Sequence, residues 1–156
     1  MNKFLSLQVL IISLFYVNLF ADNTPLKQLN SFIYETPTGQ EIEIPKDIKL
    51  IIISYEKDIA EEINGYLDTQ DSSYLLKHNA IFIADVHKMP RLIAKIVAIP
   101  RLQKYKHPIY LYYGEELEKI ALRKEAKITV LHVENEKIKE IRHISTKDEL
   151  KMAIER

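Results

Sequence analysis

Two side chains that could do acid–base chemistry stand two residues apart at the end of an apolar run. Asp85 and His87 occur in and just after the segment AIFIADV, at residues 80–86. If a strand reaches His87, its period of two places both side chains on one side. A carboxylate beside an imidazole can orient the ring as a general base or as a metal ligand. The alternative is that the pair braces the helix that begins near Pro90.

The remaining histidines do not suggest a metal site. We predict that His132 and His143 lie on one face of a closing hairpin. Their ladder positions, opposite Lys139 and Ile128, would be about 13 Å apart at the usual rise per residue. Because the chain has no cysteine and no HxH or HxxxH spacing, we expect no zinc or copper site and no bound cofactor.

Other catalytic patterns are absent from the sequence. Gly39, Gly65 and Gly114 are its only glycines and stand far apart, so neither a GxGxxG turn nor a phosphate-binding loop can be built. No GxSxG elbow is present. Two enzyme alternatives stay open: a small-substrate enzyme that uses Asp85 and His87, and a cofactor-dependent oxidoreductase.

The candidate residues lie at the ends of predicted strands. Three apolar runs, at residues 48–55, 80–86 and 108–113, lack the alternation of a half-exposed strand. They indicate parallel strands that are covered on both faces. In an open α/β sheet, ligands gather beyond the carboxyl ends of such strands. We therefore expect a binding edge made of the residues that follow the first two strands: Tyr55, Glu56, Asp85 and His87.

Hairpins and helices complete the predicted order. Alternating residues around Thr38 and Gly39 predict an N-terminal hairpin over residues 30–45, and residues 127–144 predict a closing hairpin. Helices are predicted at residues 58–67, 71–79, 90–99, 115–122 and 147–155. Thr146 can begin the last of these through a capping box with a glutamate three residues on. This order implies an α/β sandwich around one mixed sheet.

The predicted helix at residues 90–99, called the basic helix below, has an unusual composition. No acidic residue occurs between Val86 and Gly114, whereas six basic residues do. Arg91 and Lys95 are four residues apart and share a face of the helix. The helix also has more apolar residues than one buried stripe needs. The surplus predicts a surface for a partner protein, a membrane surface or an acidic ligand. The alternative is a well-buried helix with a basic, solvated edge.

The order of elements resembles the thioredoxin-like superfamily, in particular its exported thiol-reductase and peroxiredoxin-like branch. The segment FIYETPTGQEIEIPKDIKLIIISYEKD is similar to the family's opening hairpin, central strand and active-site helix. The segments HPIYLYYGEELEKIALRKEAKITVLHVENEKIKEIRH and STKDELKMAIE resemble its strand, helix, closing hairpin and last helix. The resemblance implies a thioredoxin-like sandwich, with a central mixed sheet, helices on both faces and an N-terminal hairpin. It implies a single domain over residues 22–156.

The redox residues of that superfamily are missing. After the central strand the family carries a CxxC pair or a peroxidatic cysteine, and here the turn runs from Tyr55 to Asp58 in a chain with no cysteine. The family's cis-proline would fall near Lys127 and Ile128, where no proline stands. Because a carboxylate cannot undergo disulfide exchange, thiol–disulfide oxidoreductase and peroxidase activities are excluded.

The first residues have the pattern of a signal peptide. Lys3 precedes an apolar run from Leu7 to Phe20, and Ala21 is followed by Asp22. We expect residues 1–21 to be a signal peptide, with periplasmic or other export after cleavage near Ala21 and Asp22. An uncleaved anchor is the alternative. The formal net charge of zero argues against a nucleic-acid partner.

The sequence therefore predicts an exported thioredoxin-like protein that has no thiol redox chemistry and serves as a non-catalytic binding or accessory module. The predicted partner is another extracytoplasmic protein, with a membrane surface as a second option through the basic helix. The predicted binding surface consists of Tyr55, Glu56, Asp85, His87, Arg91 and Lys95. Ligand identity and oligomeric state stay open.

Overall fold

Residues 26–156, the part of the chain that the computed structural model describes, contain seven strands and six helices. The predicted signal peptide lies outside these residues. The elements before the second parallel strand are α1 (Leu26–Asn30), β1 (Tyr34–Glu35), β2 (Glu41–Ile42), β3 (Leu50–Ser54), α2 (Lys57–Leu67) and α3 (Tyr74–Lys77). There follow β4 (Ala80–Asp85), α4 (91–102), β5 (Tyr110–Tyr112), α5 (Leu117–Ala121), β6 (Ile128–Glu134), β7 (Lys137–Ile144) and α6 (Lys147–Glu155). Within the same part of the chain, no helix has the length and apolar content needed to cross a bilayer.

The strands form one mixed sheet in the order β2-β1-β5-β4-β3-β6-β7. The three central strands β3, β4 and β5 are parallel, as their continuous apolar runs predict. The N-terminal hairpin pairs antiparallel with β5, and the closing hairpin pairs antiparallel with β3. The predicted α/β arrangement around a mixed sheet is therefore confirmed.

Helices cover both faces of this sheet. Alternate residues of β3 point to opposite cores: Ile51 and Ile53 pack with α1 and α5, whereas Leu50 and Ile52 pack with α2, α3 and α6. All four side chains are buried. Burial on both faces explains why this strand has no polar alternation.

The register of the closing hairpin differs from the predicted one by a β-bulge. Val133 pairs with Ile138 as expected, but Lys139 is an extra residue on β7, so that His132 opposes Glu140 and not Lys139. His143 consequently opposes Thr129 instead of Ile128. Since His132 and Thr129 are three residues apart on β6, the two histidines lie on opposite faces of the sheet. The prediction that they share a face is wrong.

Helix α4 continues past residue 99, where the basic helix was predicted to end, as far as Leu102. It is α-helical at Arg91–Ile93, opens into a π turn at Ala94–Ala98 and is α-helical again at Ile99–Leu102. In the π turn the N–H of Ile99 donates to the carbonyl of Ala94, five residues back. Pro100 then occupies the first turn of the next α-helical segment, where a missing N–H is tolerated.

The last helix begins as predicted, because the Thr146 side chain accepts from the backbone N–H of Glu149 and the Glu149 carboxylate accepts from the backbone N–H of Thr146.

Strand β7 forms one edge of the sheet. This edge strand has four exposed charged side chains: Lys137, Lys139, Glu140 and Arg142.

Candidate functional site

A cavity of about 970 Å³ opens at the carboxyl ends of β3 and β4, between α2 and α4. Its wall is mainly apolar, with Ala60 from α2 and Ile93, Val97 and Leu102 from α4. Its volume is at the upper end of the range for ligand pockets. The cavity lies at the sheet edge where the strand order predicted a binding site.

Three of the predicted binding residues line this cavity: Tyr55, Glu56 and Asp85. His87 is adjacent to Asp85 but is not part of the lining. Arg91 and Lys95 are exposed on α4. The Arg91 guanidinium lies 5.1 Å from the centre of the Tyr113 ring, which is a cation–π contact. The six residues are thus split between the cavity wall and the outer surface of the neighbouring helix.

Asp85 and His87 contact each other through a turn and not through a continuing strand. Strand β4 ends at Asp85, whose Oδ1 accepts from the backbone N–H of His87 at 3.0 Å and lies 2.6 Å from His87 Nδ1. A carboxylate that accepts from the backbone N–H two residues on closes an Asx turn. The sequence predicted a strand that continues to His87. It is instead this turn that brings the two side chains together. Neither residue caps α4, whose start has no side-chain cap bond.

The Asp85 carboxylate is almost wholly buried, with 1% of its side chain exposed. Its second oxygen, Oδ2, has no hydrogen-bond partner among the described residues. Burial raises the pKa of Asp85, and the two hydrogen bonds from His87 counteract that rise. Asp85 therefore has one oxygen available to a donor or a cation.

A chain of ion pairs lies beside this pair. Arg123 contacts Glu56 at 2.9 Å and Glu118 at 3.5 Å, and Lys88 contacts Glu118 at 2.7 Å. The hydrogen bond from Arg123 lowers the pKa of Glu56, and the hydrogen bond from Lys88 lowers the pKa of Glu118. Glu56 also accepts from the backbone N–H of Ala126 at 3.2 Å. Glu56, at the start of α2, is thereby tied to the loop after α5.

Tyr55 has a structural contact as well as its place in the cavity wall. Its hydroxyl donates to the carbonyl oxygen of Leu117 at 3.4 Å. Burial raises the pKa of Tyr55 and keeps its phenol neutral, and the carboxylate of Asp85 adds to that effect. The Tyr55 ring thus connects the end of β3 to the start of α5.

Glu118 is one residue of the candidate site that the sequence did not indicate. One of its carboxylate oxygens lies within 4.8 Å of a carboxylate oxygen of Asp85 and of a ring nitrogen of His87. In the sequence Glu118 is one of several acids at a helix start, which ordinarily indicates only a favourable dipole interaction. Its proximity to a strand end about 30 residues earlier comes from tertiary packing and leaves no local signal.

Asn64, on the α2 side of the cavity, is held by a buried histidine. His107 Nε2 donates to Asn64 Oδ1 at 2.8 Å, and both side chains are buried. Among the described residues, the His107 side chain is hydrogen-bonded to Asn64 and not to Asp85 or His87. Its role is to fix the asparagine.

The chain matches no protein-family model and no curated protein. Solved structures are similar over most of its length. The N-terminal domain of PilB from Neisseria gonorrhoeae is 13% identical, with a TM-score of 0.54, and the match covers 84% of this chain and 91% of that one. A peroxiredoxin-like protein from Aquifex aeolicus is 11% identical, with a TM-score of 0.52, and the match covers 80% of this chain and 81% of that one. An uncharacterized thioredoxin-like protein from Porphyromonas gingivalis is 12% identical, with a TM-score of 0.50, and covers 80% and 87%.

These similarities define the fold class. The chain has the thioredoxin-like fold, and the resemblance inferred from the sequence is confirmed at that level. At the start of α2, where that fold was expected to hold a cysteine, the chain has Tyr55, Glu56, Lys57 and Asp58. It is a thioredoxin-like chain without cysteine.

Proposed function

We propose that this protein is an exported thioredoxin-like binding module that recognises another extracytoplasmic protein and carries out no thiol redox chemistry. The observation that carries the proposal is the large, mainly apolar cavity between α2 and α4. A concave apolar site at the strand-end edge is suited to recognition without any catalytic cysteine.

The outer surface of α4 extends this apolar site. Leu92 and Ile96 are 68% and 65% exposed, and Ile93 and Val97, which line the cavity, are also well exposed. Isolated exposed apolar residues are ordinary, but several on one helix beside a cavity mark an interaction surface. Covering them with a partner would remove their apolar area from water, which is favourable.

The charge of α4 indicates the kind of protein surface that would fit. No acid occurs between Val86 and Gly114, and Arg91, Lys95 and Arg101 are exposed on the helix. A complementary partner segment has apolar residues for the cavity and acidic residues at its margins. A bilayer surface fits less well, because a flat lipid surface cannot fill a concave site next to the helix.

Two sequence features support the rest of the proposal. The chain has no cysteine, and thiol exchange requires a thiolate. The pattern of residues 1–21 is typical of a segment that directs export. The partner would therefore be met outside the cytoplasm.

Site-specific photocrosslinking tests the binding surface. A photoreactive phenylalanine replaces Ile96 in one variant and Met152 in the control, since Met152 is 64% exposed on α6. In cells that naturally produce the protein, we expect one defined adduct from position 96 and none from position 152. Equal adducts from both positions, or none from either, would contradict the proposal.

A purified pair then separates specific recognition from adventitious capture. With the crosslinked protein produced separately, Ile93→Ser combined with Val97→Ser should weaken binding about tenfold or more, as expected for central apolar contacts. Met152→Ser should leave the affinity unchanged. Isothermal titration measures both. Retained affinity in the double variant would show that the cavity side of α4 is not the binding surface.

A second candidate function is favoured by the 2.6 Å contact between Asp85 and His87. In a small-substrate enzyme, Asp85 would orient His87 as a general base. Assayed against ester, phosphate and glycoside substrates, His87→Ala should lower turnover by two orders of magnitude or more. His78→Ala is the control, since the His78 ring contacts the carbonyl and the ring of Tyr74 at the end of α3. A wild-type protein without turnover would eliminate this candidate.

A further inference from the structure

Although the sequence alone predicted no zinc site, we propose that Asp85, His87 and Glu118 form a binding site for a divalent first-row transition-metal ion, of which Zn²⁺ is the probe of choice. The three residues come from the end of β4, the turn after it and helix α5. One ligand atom from each lies within 4.8 Å of the other two. The site shares Asp85 with the cavity wall, but none of its three ligands belongs to α4, and it does not depend on the proposed partner.

The first reason is the state of Asp85. Its side chain is 1% exposed, and Oδ2 has no partner among the described residues. A buried carboxylate oxygen is costly unless it is hydrogen-bonded, paired with a charge or bound to a metal. A cation between Asp85 and Glu118 would satisfy this oxygen directly.

The second reason is the chemistry of the ligand set. Two carboxylates and one imidazole suit Zn²⁺, Mn²⁺ or Fe²⁺, and the absence of cysteine removes the thiolates that favour Cu⁺. Three protein ligands leave a fourth position open to water, as in catalytic zinc sites. The site has this open composition and differs from the closed sets of four ligands found in structural zinc sites.

The spacing requires the ligand atoms to move closer together. With metal–ligand distances of about 2.0–2.2 Å, two ligand atoms on one tetrahedral ion are about 3.3–3.6 Å apart. The three ligand atoms here lie within 4.8 Å of one another, so they must approach by roughly 1 Å to share one ion. Glu118, whose side chain is partly exposed, can supply the movement through its rotamers.

Lys88 pairs with a carboxylate that the ion would use. Its ammonium lies 2.7 Å from Glu118 Oε1, and 53% of its side chain is exposed. Exposed ion pairs contribute little stability, so Lys88 can swing into solvent when a divalent ion arrives. Arg123, at 3.5 Å from the same oxygen, can stay paired with Glu56. Lys88 is therefore a competitor for Glu118, and its removal should strengthen metal binding.

Chelator-buffered titration of the purified protein with Zn²⁺ tests the site. We expect one bound ion per chain, with affinity lowered at least about tenfold by His87→Ala and by Glu118→Gln. Lys88→Met should raise the affinity severalfold. His143→Ala is the control, because His143 is half-buried, is hydrogen-bonded to the Leu122 carbonyl and is not a member of the cluster.

Co²⁺ provides a readout that does not depend on affinity alone. A tetrahedral or five-coordinate Co²⁺ ion bound by nitrogen and oxygen has visible absorption far more intense than that of octahedral aqueous Co²⁺, and His87→Ala should abolish that intense spectrum. Circular dichroism verifies that each variant is folded. The proposal is overturned if no ion binds at about 1 mM, if His143→Ala weakens binding as much as His87→Ala, or if Lys88→Met weakens it.

The metal test and the partner test fail independently. Ile96 contributes no metal ligand, and loss of crosslinking from position 96 leaves Zn²⁺ binding unaffected. Conversely, a protein that binds its partner but no metal would retain the proposed function and lose only this inference.

Discussion

At the scale of single residues, His107 links folding to pH. Its side chain is buried, and Nδ1 has no hydrogen-bond partner among the described residues. Burial lowers the pKa of His107, and the negative charge of Asp68 opposes this effect only in part. In the unfolded chain a histidine has a pKa of about 6.5. His107 therefore binds a proton more tightly in the unfolded chain than in the native protein.

The sign of the pH dependence follows from that difference. The contribution of His107 to stability is fully present above about pH 6.5 and is lost as pH falls through its lower native pKa. We expect His107→Gln to be destabilising at neutral pH, with the gap between variant and wild type narrowing on acidification. Urea unfolding from neutral to mildly acidic pH measures this gap. A gap that stays constant across the range would contradict the assignment.

The candidate site shows which kinds of site residue can be predicted from a sequence. Asp85 and His87 were predicted as candidates because they stand at the end of one apolar run, and Tyr55 and Glu56 because they stand at the end of another. Glu118 and Arg123 were not found, because their proximity to Asp85 and Glu56 depends on how α5 packs across the sheet. Local spacing carries information about neighbours along the chain and none about such contacts.

At the scale of elements, adding a side chain is expected to have opposite effects on stability at two glycines. Gly65 is exposed near the end of α2, and a Cβ there would meet no atom within 4 Å. A Cβ on Gly114 would instead overlap the hydroxyl and ring of Tyr112 and the carboxylate of Glu116. The Tyr112 ring is buried and cannot move aside freely.

Alanine substitutions test this contrast. Gly65→Ala should stabilise the protein by about 0.5–1 kcal/mol, because alanine loses less backbone entropy in a helix. Gly114→Ala should destabilise it by about 1–3 kcal/mol through overpacking. Urea unfolding of both variants gives the two values. Destabilisation by Gly65→Ala would show that α2 requires glycine at this position for a reason other than intrinsic helix propensity.

The elements were predictable where one local rule decides them. Continuous apolar runs identified β3 and β4, and the Thr146–Glu149 pair identified the start of α6. The extra residue at Lys139 and the π turn at Ala94–Ala98 were not predictable, since each inserts one residue into a pattern that otherwise continues. Such insertions are set by how neighbouring elements pack.

At the scale of the whole molecule, the cavity between α2 and α4 is a void that a larger side chain should be able to fill. Ala60 lines it and is only partly buried. The chain has no tryptophan, so the fluorescence of an introduced indole reports on that position alone. The cavity volume of about 970 Å³ exceeds what an indole needs.

Ala60→Trp should therefore fold and partly fill the cavity. We expect its emission to be blue-shifted relative to Met152→Trp, because the second indole lies in solvent. An anionic apolar dye such as anilinonaphthalene sulfonate should bind wild type and Met152→Trp alike and bind Ala60→Trp less. Equal dye fluorescence in all three proteins would mean that the cavity is closed to ligands in solution.

The charged edge strand β7 has a consequence for behaviour at high concentration. An edge of eight residues with free backbone groups is a template on which a second chain could add a strand. Docking another strand there would strip water from Lys137, Lys139, Glu140 and Arg142, and the bulge at Lys139 interrupts the flat ladder that such stacking needs. Strand addition along this edge is thereby disfavoured, while the apolar cavity lies elsewhere, at the strand ends.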